Sequence, residues 1–195
     1  MGEAVPRRWS WNINLNQTSG PRMNDQVIIK QATVYDAGTI ADLSRSTFYD
    51  TFAPDNTEED MIIFMNRQFT RDALVAEVGI KSNTFLLAYH EGVLAGYVKL
   101  RESKGPPELK GFSTLEIARL YVVKSMLGQG IGQALMQYSI EVASSRQKQV
   151  VWLAVWEKNN RAIRFYTQWG FETFSKQVFV LGTDLQNDWI MKKKL

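Results

Sequence analysis

The stretch from Thr114 to Val155 constrains this chain most. It reads as a strand to Val123, a glycine-rich turn Gly128-Gln129-Gly130-Ile131-Gly132, a helix, and then the unbroken apolar run Val150-Val151-Trp152-Leu153-Ala154-Val155. Within the helix, Ile131, Leu135, Tyr138 and Val142 recur at i, i+4, i+7 and i+11, which lines one helical face. An apolar run without alternation suits a strand covered on both faces. A strand, a helix and a second buried strand in that order predict a parallel pair with a right-handed crossover, the centre of a mixed α/β domain.

The flanking sequence supplies the rest of that domain. Val27–Val34 is β-branched and reads as the opening strand. Asp36 is the expected cap of a helix over Ala37–Phe52, whose Ile40, Leu43, Phe48 and Phe52 follow a rough helical period. Pro54-Asp55-Asn56 breaks the chain, and Thr57-Glu58-Glu59-Asp60 then reads as an N-cap with acidic first-turn residues opening a helix to about Gln68. Thr70–Ile80 is a third helical stretch. Phe85–Tyr89 and Val93–Leu100 form a hairpin about His90-Glu91-Gly92, and Ser103–Gly111 is a loop. Asn159–Trp169 is a helix with Ala162, Phe165, Tyr166 and Trp169 on one face, ended by Gly170. Phe171–Leu181 and Trp189–Lys194 make a last hairpin around a loop Gly182–Asp188. The expectation is about seven strands and four or five helices in one domain over residues 26–195. Residues 1–25, polar with scattered Trp9, Trp11 and Leu15, read as a flexible tail.

Composition removes several chemistries. There is no cysteine, so disulfides, thiol catalysis, cysteine-zinc sites and iron–sulfur clusters are excluded. A single histidine, His90, argues against histidine triads and multi-histidine metal sites, and its place before a turn reads as surface. No apolar run approaches the length of a membrane span, and the first residues lack the pattern of a secretion signal, so a cytoplasmic protein is expected. A net charge of +3 is too small for a dedicated nucleic-acid binder, and Lys192-Lys193-Lys194 reads as a solvated strand end. Trp152, Trp156 and Trp169 read as core residues rather than as stacking platforms for bases.

The glycine turn is the first candidate for chemistry. Small residues let main chain approach a ligand, and the first turn of a helix offers N–H groups without internal partners at the positive end of the helix dipole. That combination suits a phosphate group, although glycines also simply shape turns. A Walker loop is excluded because the turn runs into Gly132-Gln133-Ala134, and a dinucleotide fingerprint because its last glycine would fall on Gln133.

Residues 127–132, Leu-Gly-Gln-Gly-Ile-Gly, resemble the Q/R-x-x-G-x-G/A loop of the GCN5-related N-acetyltransferase superfamily. Leu127 stands where that loop carries Gln or Arg. The resemblance extends to Leu115-Glu116-Ile117-Ala118-Arg119-Leu120-Tyr121-Val122 before the loop. It extends further to Trp156-Glu157-Lys158-Asn159-Asn160-Arg161-Ala162-Ile163-Arg164-Phe165-Tyr166 and Gly170-Phe171 after it, with Asn160 where proline is frequent. Thr51–Met61 and the phrase around Trp156 are similar to the narrower group of PaiA-like spermidine/spermine acetyltransferases.

This resemblance implies a three-layer fold: a mostly antiparallel seven-stranded sheet, splayed between two parallel central strands and flanked by helices. It implies acetyl-CoA as co-substrate, no metal, and a small-molecule amine as acceptor, a polyamine foremost, with a homodimer also compatible. Leu120, Tyr121 and Val122 would present main chain to pantetheine and the thioester. Gly128, Gln129, Gly130, Ile131, Gly132 and Gln133 would cradle the diphosphate, and Asn159 would hydrogen-bond the pantetheine arm. Tyr166 matches the tyrosine that protonates the leaving thiolate, and Glu116 a glutamate used as base. As ordinary residues, Tyr166 would be core and Glu116 would meet solvent or Arg119. Asp50, Asp55, Glu58, Glu59 and Asp60 could draw a polycation, or simply cap helices. Tyr49 and Phe52 could border the acceptor groove or pack in the core. An enzyme acting on protein N-termini or lysines, and a coenzyme A sensor with little transfer activity, are the competing readings.

Overall fold

The crossover unit forms, and the rest of the chain is arranged around it. The computed structural model describes residues 27–195; the expected tail over residues 1–25, with Trp9 and Trp11, lies outside the described residues. Seven strands make one sheet: β1 (Val27–Gln31), β2 (Asn83–His90), β3 (Val93–Arg101), β4 (Thr114–Val122), β5 (Val150–Trp156), β6 (Glu172–Leu181) and β7 (Asp184–Lys194). Their order is β1-β2-β3-β4-β5-β7-β6, and only the β4–β5 pair is parallel. The helices are α1 (Ala37–Phe52), α2 (Glu58–Arg67), α3 (Arg71–Glu77), α4 (Ile131–Ser145) and α5 (Asn160–Gln168).

The apolar stripe of α4 decides one face of the sheet. Ile131 and Leu135 are 1% and 0% exposed and pack with Val98, Leu115, Val151 and Leu153, as does Tyr166 from α5. Burying an aliphatic side chain of this size contributes roughly 2 kcal/mol. The opposite face is covered by α1–α3, through Ile40 on Phe85, Leu87 and Tyr97, and through Phe48, Met61, Phe64 and Leu74 in a second cluster. Three layers result, with hydrophobic core on each side of the sheet.

The two central strands separate almost at once. β4 and β5 are in register only at Thr114–Val150, Leu115–Val151 and Glu116–Trp152. Beyond that point β4 stays with β3 to Val122, and β5 stays with β7 to Trp156. A bulge sharpens the parting: Lys99 faces Arg119 and Leu100 faces Ile117, so Ala118 is the extra residue on β4. A bulged strand bends and twists locally, which turns β4 away from its parallel neighbour.

The sequence reading needs three corrections. β1 ends at Gln31. Val34–Asp36 is a single 3-10 turn capped by Thr33, and Asp36 makes no side-chain cap to α1. Its carboxylate instead accepts the Thr33 N–H at 2.7 Å, closing a capping box on that turn. The last hairpin has no loop over Gly182–Asp188, because pairing runs from Leu181–Asp184 through Gln177–Asp188 and only Gly182 and Thr183 turn. The usual alternation is inverted there: Gln186 and Asp188 are buried while Leu185 is 70% exposed.

That hairpin tip is clamped to α2. Thr57 caps α2 and its hydroxyl donates to Asp60 at 2.6 Å. Asp60 also accepts the Thr183 N–H at 2.7 Å and the Thr183 hydroxyl at 2.8 Å. The Thr57 hydroxyl first, then the Thr183 groups, hold the Asp60 carboxyl below its usual range. A carboxyl depressed on folding stabilises above its unfolded pKa, and that contribution disappears as pH falls through the folded value. Gly182 has φ +63°, and a Cβ there would lie 2.5 Å from Asp60 Cα and 2.7 Å from its carbonyl oxygen. Gly182→Ala therefore adds left-handed strain to a clash with main chain, at a cost of about 3 kcal/mol. The expected result is a urea midpoint lowered with little change in slope; an unchanged midpoint would show that the hairpin tip moves off α2 freely.

Candidate active site

The gap between β4 and β5 opens into a cavity of about 680 Å³. One end is the glycine turn. Gly128 and Gly130 have φ +83° and +80°, and Gly130 is the residue on which α4 begins. The first bond into the helix runs from Ala134 N–H to Gly130 oxygen at 3.0 Å, so the N–H groups of Ile131, Gly132 and Gln133 precede it without helical acceptors. A Cβ at Gly128 or Gly130 would meet nothing within 4 Å, so the space above the turn is open. An anionic group fits such a cradle. Gly128, Gly130, Gly132 and Gln133 are on the cavity wall, as is the partly exposed Leu127. Ile131 turns its side chain into the core, and the exposed Gln129 lies off the wall.

The middle of the cavity is main chain. Leu120, Tyr121 and Val122 line it where β4 has no strand on its β5 side. Across the gap, Asn159 caps α5 by accepting the Ala162 N–H on its Oδ1 at 3.1 Å, a bond that leaves its Nδ2 donors unused. Tyr166, about two helical turns further on, also lines the cavity. Its ring packs between Phe165 and Phe171, with centroids at 5.5 and 6.0 Å. Burial pushes its phenol up to about 12, so the hydroxyl keeps its proton at neutral pH.

The floor is charged. Glu116 accepts from Arg101 Nε at 2.7 Å and Nη2 at 2.8 Å, a bidentate pair. Its partner is thus Arg101 and not Arg119, which donates to Glu77 at 2.5 and 3.0 Å. Lys99 Nζ lies 3.1 Å from the same Glu77. Burial opposes the Glu77 charge, but Arg119 and Lys99 outweigh it and the carboxyl sits below its usual range.

Of the remaining wall, only Phe52 was expected to border a site. Phe48 stacks on Phe64 at 4.7 Å and lies 4.5 Å from Phe52. Phe52 reaches Trp156 at 6.0 Å, and Phe64 reaches Phe179 at 5.6 Å. Trp156 is therefore a cavity residue as well as a buried one, whereas Trp152 and Trp169 belong to the core. Gln177, Gln186 and Asp188 complete this wall. Glu116 lines this cavity, whereas none of the acidic residues singled out around the first two helices does. Asp50 and Asp55 border a neighbouring depression with Lys124, Lys158 and Arg161; Glu58 and Glu59 are exposed on α2; Asp60 holds the hairpin. Phe52 lines the cavity and Tyr49, 48% exposed, does not. His90, at the end of β2, is likewise elsewhere. Among the described residues, no group of three or more His, Cys, Asp or Glu could hold a metal ion, and no helix is long and apolar enough to cross a membrane.

The fold recurs in known proteins. The model of the acetyltransferase (GNAT) family matches residues 42–171. An uncharacterized N-acetyltransferase of Lactobacillus delbrueckii subsp. lactis is 38% identical, over 87% of this chain and 98% of its own length. An uncharacterized N-acetyltransferase of Mycobacterium bovis is 28% identical over 82% of this chain and 98% of its own. The PaiA N-acetyltransferase of Thermoplasma acidophilum, solved with coenzyme A, shares the fold with a TM-score of 0.69 at 21% identity, over 87% of this chain and 99% of that one. The yncA protein of Salmonella typhimurium, solved with acetyl-CoA, gives 0.66 at 20% identity over 87% and 94%. The chain belongs to the acetyltransferase (GNAT) family and is an N-acetyltransferase that takes its acetyl group from acetyl-CoA.

Proposed function

We propose that this enzyme acetylates the primary amine of a small molecule, with the chemistry centred on Tyr166. The observation that carries the reading is convergence: helix-start amides, a strand edge without a partner and a protonated phenol all border one cavity. Main chain of Gly128, Gln129, Gly130, Ile131, Gly132 and Gln133 holds the diphosphate of the coenzyme. Leu120, Tyr121 and Val122 receive the pantetheine arm as an added strand, and the Asn159 amide fixes it from the α5 side. Acetyl-CoA supplies the activated acyl group as a thioester. Tyr166 supplies the proton that the departing sulfur takes up. Holding both reactants in one dry cleft removes much of the entropic barrier.

Glu116 borders the same cavity, and its role as base is decided by the pH–rate profile of Glu116→Gln, since an unmoved profile removes it. The likeness of Thr51–Met61 to PaiA-like enzymes favours a polyamine as the amine. The carboxylates that would hold several ammonium groups lie off the cavity, so a small amine with fewer charges is the better fit.

Two variants and one pH profile test the assignment. Tyr166→Phe keeps the ring packing and removes the proton, so kcat should fall about 100-fold while coenzyme A binding, read by calorimetry, stays level. Unchanged turnover at saturating substrates would end the general-acid role. Because Tyr166 titrates at about 12, wild-type kcat should show no loss from its ionisation at mildly alkaline pH. Gly130→Ala strains a residue at φ +80° at the head of the cradle and should weaken coenzyme A binding about tenfold. Retained affinity would place the diphosphate elsewhere.

A further inference from the structure

Three carboxylates line the cavity, and two are already neutralised: Glu116 by Arg101, Glu77 by Arg119 and Lys99. The third, Asp188, has no Lys, Arg or His partner among the described residues. It is 9% exposed on β7, in register with Trp156 on β5 and Gln177 on β6. Trp156 and Gln177 border the cavity with it, as do Tyr121 and Tyr166. A buried carboxylate without a cation is costly, and a site that keeps one expects a positive charge from outside. The rings of Phe52, Phe64 and Phe179 offer that charge aromatic faces and give an apolar body a surface to cover, while the Trp156 ring already carries the Lys158 ammonium 5.6 Å from its centroid.

We propose that Asp188 receives the ammonium group of the acceptor and takes the proton it must shed, and that the acceptor is a primary amine with one positive charge on an apolar or aromatic body. This rests on the acetyltransferase reading above. The ammonium passes one proton to the Asp188 carboxylate, which later releases it to solvent. The freed nitrogen lone pair forms the N–C bond to the acetyl carbon, the C–S bond breaks, and sulfur takes the Tyr166 proton. The second nitrogen proton restores the Tyr166 hydroxyl, so the products are a neutral amide, a thiol and one proton.

The surroundings suit a base. Burial, with a smaller push from Glu157, raises the Asp188 carboxyl above its usual range, and a hydrogen bond from Gln177 opposes this. Of the other titratable groups lining the cavity, the Tyr121 phenol interacts with Asp188 and is itself raised, as is that of Tyr166; the charged groups there are the paired Glu77, Lys99, Arg101, Glu116 and Arg119, and Arg161 at the start of α5. A base lifted toward neutrality exchanges protons efficiently near working pH. Glu116, with both oxygens on Arg101, leaves this task to Asp188.

The test compares phenethylamine, hexylamine and spermidine as acceptors for wild type, Asp188→Asn and Asp188→Glu, following thiol release. Wild type should use phenethylamine or hexylamine with a kcat/KM at least tenfold above that for spermidine. Asp188→Asn should lose about 100-fold in kcat and flatten the acid limb of the kcat–pH profile, while coenzyme A still binds with wild-type heat. Asp188→Glu, which keeps the carboxylate, should recover much of the loss. Spermidine as the preferred acceptor, or Asp188→Asn with wild-type kcat and pH profile, overturns the proposal. If Asp188→Asn fails to bind coenzyme A, the comparison of Asp188→Glu with wild type decides, an absent acid limb in both overturning it. Wild type without turnover on any amine is a separate failure, that of the acetyltransferase assignment to small amines.

Discussion

The early parting of β4 and β5 underlies everything else in this molecule. After three residue pairs the parallel ladder ends, and main chain that would be satisfied in a closed sheet borders a cavity instead. Buried backbone groups need partners, so an opened ladder is tolerated where a ligand or water can complete it. The parting is stabilised on each side: β4 keeps its antiparallel bonds to β3, and β5 pairs along its whole length with β7. The bulge at Ala118 lets β4 bend without losing that pairing, and α4 holds the base of the split closed through Leu115, Val151 and Leu153.

Charge is distributed unevenly around the split. Near the glycine turn main-chain dipoles set the field, and Arg161 at the start of α5 adds a positive charge to the same cavity wall. At the floor, Arg101 and Glu116 form one pair, and Glu77 joins Arg119 and Lys99 in a triad that leaves one positive charge in excess. Partial exposure of Arg101, 46% at its side chain, keeps the Arg101–Glu116 pair modest in energy, and its geometric role outweighs its stability. The aromatic wall carries one carboxylate, Asp188, among its rings.

The first two helices and the last hairpin form that wall although they lie at opposite ends of the sequence. Asp60 receives Thr183, Gln186 donates to Asn56 at 2.5 Å, and Phe64 meets Phe179. These long-range contacts bring the rings of α1 and α2 over the polar face of β6 and β7. Local pattern cannot announce such a surface, since each residue in it has an ordinary local reading: Phe48 and Phe64 as helix core, Gln186 and Asp188 as loop, Asp60 as a first-turn acid.

The amino-acid sequence alone determined the mixed α/β class, the parallel crossover, the ends of α1 and the glycine turn that opens α4. These follow from hydrophobic period, capping residues and glycine placement within a few neighbours. It also brought forward Tyr166, Asn159 and the β4 edge, through a motif spread over some fifty residues. Tertiary structure alone decided that Glu116 pairs with Arg101 rather than Arg119, since strand register chooses among cations a short segment makes equivalent. It alone removed the acidic residues of α1 and α2 from the cavity and brought Trp156 and Asp188 into it. The reason is physical: periodicity reports which side of an element is apolar, whereas a cleft is made by elements distant in sequence, and the charge left unpaired in it is known only once every partner has its place.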